Sequence, residues 1–309
     1  MTSDILNILI RANLAGGAAI LVVLALRIPA RRAFGPEVAY RLWTAPVLAA
    51  AATLIPRIAP GAVHKSLGLA AFGASPTWVA VAWLVGLLAA GALLWRAQAR
   101  FLAEARAGRA GPSVVGVIAP RILMPPDDGR YTAEERELVR AHEREHVARR
   151  DPRAGALAAA FQCLAWFNPL VHMAAHFMRL DQEFACDAAV TRRYPRSRAL
   201  YAKTLLKTQL AATPLPFGCY WPARGQHPLE VRVRLLKGPR RHSGLTGPIL
   251  IASGVLCTAL AAWAAQPPIP PAAMPVSIVY RELEHSGHMT VLLITAPRGA
   301  WSHHGAPKA

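Results

Sequence analysis

Acidic residues are scarce in this chain of 309 residues: 17 Asp and Glu stand against 35 Lys and Arg, a formal net charge of +18. Cysteine is scarcer, with four in all. Cys163, Cys186 and Cys219 fall in the middle of the chain and Cys257 in an apolar run. None lies in a segment expected to be exported, so no disulfide framework is expected. No zinc-finger spacing, basic zipper or RNA-binding signature accompanies the basic excess, which argues against nucleic acid as a direct partner. There is also no internal repeat and no glycine-rich loop to cradle a phosphate.

What the chain has in quantity is apolar surface. Hydrophobic residues make up 54% and the mean hydropathy is +0.28. An apolar chain with a large basic excess suggests several membrane spans and a basic cytoplasmic part lying on an anionic leaflet. Four spans are expected. Ile5 to Leu26 is long enough to cross, with Arg11 near one end where it can snorkel. Its basic flank follows the apolar run, so it reads as an uncleaved helix, not a signal peptide. Leu42 to Ile55 is shorter and needs its flanks. Trp78 to Trp95 carries tryptophan at both edges, as interface anchors prefer, and Gly247 to Ala265 is the fourth. The arginines at 27, 31, 32 and 41, those from Arg96 to Arg109, and Lys237, Arg240 and Arg241 all fall on one side. The positive-inside rule then puts both termini outside.

Between the third and fourth spans, Ser113 to Met124 is expected to form one or two short strands. Thr132 and Glu135 form a capping box for a helix running to Arg149-Arg150, and Asp151-Pro152 reads as a new cap and first turn. Ala154 to Met178 is read as two helices, Asn168 capping the second and Pro169 at its first position. Arg198 to Ala211 looks helical, Pro214 to Pro228 is a loop, and Val276 to Thr295 can form a hairpin.

His142-Glu143-Arg144-Glu145-His146 organises this middle region. Positions four apart share a helix face, so His142 and His146 can grip one metal ion. Glu143 is placed to act as general base on an attacking water. The same five residues also spell the inverted motif with Glu145 as the base, and spacing alone leaves both open. Glu183 and Asp187 share a face further on. One carboxylate can bind metal while the other orients a ligand histidine; the alternative is an ordinary acidic face. His172 and His176, set among Val171, Met173 and Phe177, read as packing or interface residues. Cys186 reads as a small buried packing residue, with a soft-ligand role as the alternative.

Taken together, three spans, the stretch Gly116 to Pro125, His-Glu-x-x-His followed by Arg150-Asp151, Trp166 to Val171, Glu183 to Asp187, Tyr201-Ala202 and a last span form a specific pattern. Over about residues 1 to 265 it resembles the BlaR/MecR-type membrane zinc metallopeptidases, the β-lactam antirepressor family. The resemblance implies Zn2+ held by His142, His146 and Glu183, with Glu143 as the base and Asp187 as the supporting carboxylate. The chain departs from the family at His172, where tryptophan is common. It departs again in its tail, which has no Ser-x-x-Lys of the kind a penicillin-binding sensor needs, so direct acylation by a β-lactam is not expected.

The expected fold is therefore a multi-pass α-helical membrane protein with a cytoplasmic zincin-like α+β metallopeptidase domain. Residues 1–95 would hold three transmembrane helices, 96–246 the peptidase, 247–265 the fourth helix and 266–309 a short extracytoplasmic tail, in the bacterial inner membrane. The substrate is expected to be a peptide or protein, paired by strand addition along Val114, Val115, Gly116, Val117 and Ile118. The resemblance points to a winged-helix repressor, with self-cleavage also open. Membrane lipid is an expected partner, and a homo-oligomer is left open. The rival class is a non-catalytic membrane scaffold that holds a partner on its basic face.

Overall fold

The computed structural model describes residues 2–57, 76–108, 111–211, 232–233 and 246–266. Nearly all of these belong to one unit, Met1–Ile55 with Ser66–Gln266. The second unit, Pro56–Lys65 with Pro267–Ala309, lies outside them except for Pro56 and Arg57. The loop at 214–228, most of 229–236 and the tail hairpin at 276–295 also lie outside the described residues.

The chain opens with α1 (Thr2–Phe34), which continues past the expected end at Leu26 through Arg27, Arg31 and Arg32. It stops where Gly35 takes φ 98°, a conformation few residues other than glycine adopt, and Pro36 starts α2 (Pro36–Arg41). The expected second span, Leu42 to Ile55, becomes α3 (Thr44–Ala52), joined to α2 through helical turns at Leu42 and Trp43. Its 9 residues are about 14 Å at 1.5 Å per residue, half a bilayer core. Small side chains let it lie close on α1: a Cβ added at Gly16 would meet the Ala50 Cβ at 3.7 Å. The helix α4 (Pro76–Arg106) contains the expected Trp78 to Trp95 span and runs on through the arginines after it. Among the described residues three helices are long and apolar enough to cross a membrane: α1, α4 and the last helix, α9 (Thr246–Ala265).

Two short strands follow, β1 (Ser113–Val115) and β2 (Arg121–Leu123), antiparallel with Val114 opposite Ile122. The expected strand to Ile118 is cut short because Gly116 turns the chain at φ 99°, where a Cβ would lie 2.7 Å from the Ala119 carbonyl oxygen. Val117 and Ile118 therefore stand exposed in the turn. The helix α5 (Ala133–Ala148) begins at the expected capping box, Thr132 accepting from the Glu135 amide and Glu135 from the Thr132 amide. It ends slightly early because Arg150, in the left-handed region at φ 60°, turns the chain into α6 (Asp151–Leu164). Asn168 caps α7 (Pro169–Arg193) as expected, accepting from the Leu170 amide. A short turn at Pro195–Ser197 leads to α8 (Arg198–Ala211), with the bounds expected from sequence.

Two apolar clusters hold these helices, and α7 takes part in both. Val23, Val38, Trp43, Ala45, Ile251 and Val255 close on Met178, and Leu138, Ala141, Tyr201 and Leu205 close on Val190. Between those two residues α7 buries Asp181 and Asp187, and carries Glu183, half-buried, on the same stretch.

Candidate metal centre

His142 and His146 lie one helical turn apart on α5, their ring centroids 4.9 Å apart and nearly perpendicular. Each ring is fixed from behind. Tyr201 of α8 donates its hydroxyl proton to Asp187 Oδ1 at 2.7 Å, so its oxygen accepts from His142 Nδ1, also at 2.7 Å. His146 Nδ1 donates to Asp151 Oδ2 at 2.7 Å. With both Nδ1 atoms used as donors, the neutral tautomers leave an Nε2 lone pair on each ring facing the same point.

That point is lined by a carboxylate. The two Nε2 atoms are 3.2 Å apart; Glu183 Oε2 is 3.3 Å from that of His142 and Oε1 is 3.5 Å from that of His146. Tetrahedral coordination with bonds of about 2.0 to 2.2 Å separates neighbouring donors by about 3.3 to 3.6 Å. Two imidazoles and a carboxylate at this spacing therefore fit zinc in donor type and in separation.

Electrostatics agree. Burial alone would lower both imidazoles, but Cys186 and the carboxylates override it and hold both rings well above the usual range, His142 at about 10. The pocket thus favours positive charge, whether brought by protons or by a cation. Burial would raise Glu183 and Asp187, yet Arg232 and the histidines hold Glu183 well below the carboxylate range and Asp187 at about 2. Arg232 grips Asp187 through Nε at 2.7 Å and Nη2 at 2.8 Å, and lies 3.1 Å from Glu183.

The two glutamates between the histidines now differ physically. Glu143 is buried, and burial raises its carboxyl, while His142 and His146 pull the other way. Glu145 is half-buried and outside this cluster. Cys186 is fully buried beside the rings, its Sγ 3.3 Å from Nδ1 and 3.5 Å from Nε2 of His146 and 2.7 Å from Arg149. With the two histidines it forms a second group whose ligand atoms all lie within 4.8 Å. Its burial agrees with the packing role read from sequence, and its nearness to the histidines keeps the soft-ligand alternative in view. His172 and His176 stay away from the centre, His172 bonded to the Trp166 carbonyl and His176 edge-on to Phe177.

Three contributors escaped the sequence reading. Asp151 was expected only as a cap; here Arg150 takes that position and the Asp151 carboxylate holds His146. Tyr201 belongs to the sequence pattern, and the structure gives it the task of holding His142. Arg232 lies in a basic stretch with no motif, and nothing in its sequence context marks it.

The family described as BlaR1 peptidase M56 matches residues 7–76 and 74–236. Regulatory protein BlaR1 of Bacillus licheniformis is 32% identical over 97 residues, 31% of this chain and 16% of that protein. The matched stretch is thus a small part of the curated relative. The family match spans the apolar N-terminal helices and the whole histidine–carboxylate cluster. This chain belongs to the BlaR1 peptidase M56 family, a family of metallopeptidases, and is a membrane protein.

Proposed function

We propose that the protein is an integral-membrane zinc metalloendopeptidase of signal transduction. His142, His146 and Glu183 would hold the metal and Glu143 would serve as general base, a His-Glu-x-x-His site with a downstream glutamate. The observation that carries this reading is the mutual spacing of the two Nε2 atoms and the Glu183 carboxylate, with both Nδ1 protons already engaged. Zinc bound there would supply Lewis-acid polarisation of the scissile carbonyl.

The remaining work falls to the chain itself. Glu143, its proton affinity raised by burial, takes the proton from the attacking water and passes it to the leaving amine. Asp187, through Tyr201, and Asp151 hold the two imidazoles in the tautomer that leaves Nε2 free. Arg232 keeps Glu183 and Asp187 ionised. The β1 backbone at Val114 and Val115 offers an edge for an extended substrate, with Gly116, Val117 and Ile118 forming the turn beyond it.

In this reading α1, α3 with its flanking turns, α4 and α9 cross the membrane, and the centre faces the cytoplasm. The substrate would be a cytoplasmic repressor, with the chain itself as a second target. Comparing the cellular proteome of a Glu143→Gln strain with wild type tests this: a cytoplasmic regulator should accumulate intact in the variant. Identical proteomes under inducing conditions would remove the substrate assignment.

The position of Cys186 favours a second ligand set, His142, His146 and Cys186. Two contacts argue against it. The Sγ is nearly equidistant from both nitrogens of His146, and Arg149 already engages it.

A further inference from the structure

One ligand of the metal centre is braced from a helix that belongs to the apolar part of the molecule. Tyr40, half-buried on α2, donates its hydroxyl proton to Asp151 Oδ1 at 3.0 Å. The other oxygen of that carboxylate accepts from His146 Nδ1 at 2.7 Å and from Arg149 Nη2 at 2.7 Å. Without Tyr40, the closest donor to Oδ1 is Arg149 Nε at 3.4 Å, a long and weak contact. The Tyr40 oxygen in turn accepts from Gln182 Nε2 at 3.2 Å, and the Arg149 guanidinium lies 5.4 Å from the centre of the ring.

The attachment continues along the same segment. Trp43 donates its indole proton to Asp181 at 2.9 Å, so two neighbouring residues of α7, 181 and 182, are tied to the α2–α3 segment. The next residue is Glu183. Val38 and Ala39, beside Tyr40, are buried, and Val38 and Trp43 share their cluster with Val23 of α1 and Ile251 and Val255 of α9. Displacing α2 relative to α7 would therefore disturb Asp151, Gln182 and the tautomer of His146 together.

Resting on the zinc site proposed above, we infer that Tyr40 is a positioning residue for His146, acting through Asp151. It is one point where the apolar helices grip the metal centre. A hydroxyl on a carboxylate that orients a ligand fixes the angle of the ring without touching metal or substrate, so its loss lowers metal affinity and turnover and leaves substrate binding alone.

The test uses the full chain in detergent, with zinc affinity read by competition against a chromogenic chelator. Tyr40→Phe should bind zinc about 2- to 12-fold more weakly, the range of a single hydrogen bond. It should lower kcat on a peptide substrate at unchanged KM and shift the visible bands of the cobalt-loaded protein. Tyr40→Met, which keeps bulk without the hydroxyl, should match it, and melting of the metal-free proteins reports folding. Asp151→Ala, which removes both acceptor oxygens, should cost about 10- to 100-fold, and adding Tyr40→Phe to it should cost nothing more. Zinc affinity unchanged in Tyr40→Phe, or a full independent loss in the Asp151→Ala background, overturns the role of Tyr40. A wild-type protein that holds no zinc refutes the site itself, a different result.

Discussion

Loss of Asp181 should destabilise this protein strongly. Its carboxylate is fully buried and accepts four bonds: from Arg27 Nε at 2.8 Å, Arg27 Nη2 at 3.1 Å, Trp43 Nε1 at 2.9 Å and Arg31 Nη1 at 3.3 Å. Asp181→Leu keeps the branched outline of the side chain but strands the Arg27 guanidinium, whose side chain is only 7% exposed, over the face of Phe177 and with Arg31 nearby. Removing one partner of a buried ion pair costs about 3 to 5 kcal/mol. The orphaned indole N–H pushes the total toward the upper end. In thermal unfolding of the detergent-solubilised protein the melting temperature should fall on the order of 10 °C. The control is Arg27→Met with Asp181→Leu, which removes the stranded charge and should recover at least half of the loss. A single variant within about 1 kcal/mol of wild type, or a double variant no more stable than the single, would refute the reasoning.

Three further outcomes follow from the same geometry. Glu143→Gln should retain zinc and lose cleavage by at least about 100-fold, the contribution of a general base, while Glu145→Gln should cleave nearly as wild type; the reverse pattern in a peptide assay would transfer the base to Glu145. Lys207 and the Thr132 amide hold the Glu135 carboxyl below its ordinary 4.5 despite burial, so its contribution to stability is present above about pH 4.5 and lost as pH falls through the depressed folded value. Melting temperature measured against pH should therefore be flatter below 4.5 in Glu135→Gln than in wild type. Reporter fusions near Gly111 and Gly287 should report opposite sides of the membrane, and the same side from both would break the four-crossing arrangement.

Much of the architecture was legible because it rests on local rules. The capping box at Thr132 and Glu135, the Asn168-Pro169 start of α7 and the bounds of α8 need only a few neighbouring residues, and the structure has them where the sequence puts them. The histidine pair and the acidic pair were equally local, since residues four apart on a helix share a face whatever surrounds it. Asp151 lies only five residues from His146, but its place at a helix start masked that role; the other partners in this region escaped because they come from far along the chain: Tyr201 is 59 residues from His142, Tyr40 is 111 from Asp151, and Arg27 is 154 from Asp181. A single sequence carries no periodicity that joins such positions. The short second segment was misjudged in length because hydropathy ignores the turn at Leu42-Trp43, where Trp43 turns inward to Asp181 instead of continuing an apolar face. Val117 and Ile118 look like strand by composition, yet the positive φ of Gly116 commits them to a turn.

The identity of the ligands is measured most directly by X-ray absorption at the zinc edge of the zinc-loaded protein. Two imidazole nitrogens at about 2.0 to 2.1 Å and carboxylate oxygen at a similar distance, with no sulfur shell, are expected for His142, His146 and Glu183. One imidazole should disappear in His146→Ala. A sulfur shell near about 2.3 Å that vanishes in Cys186→Ala would contradict the account and move the third ligand from Glu183 to Cys186.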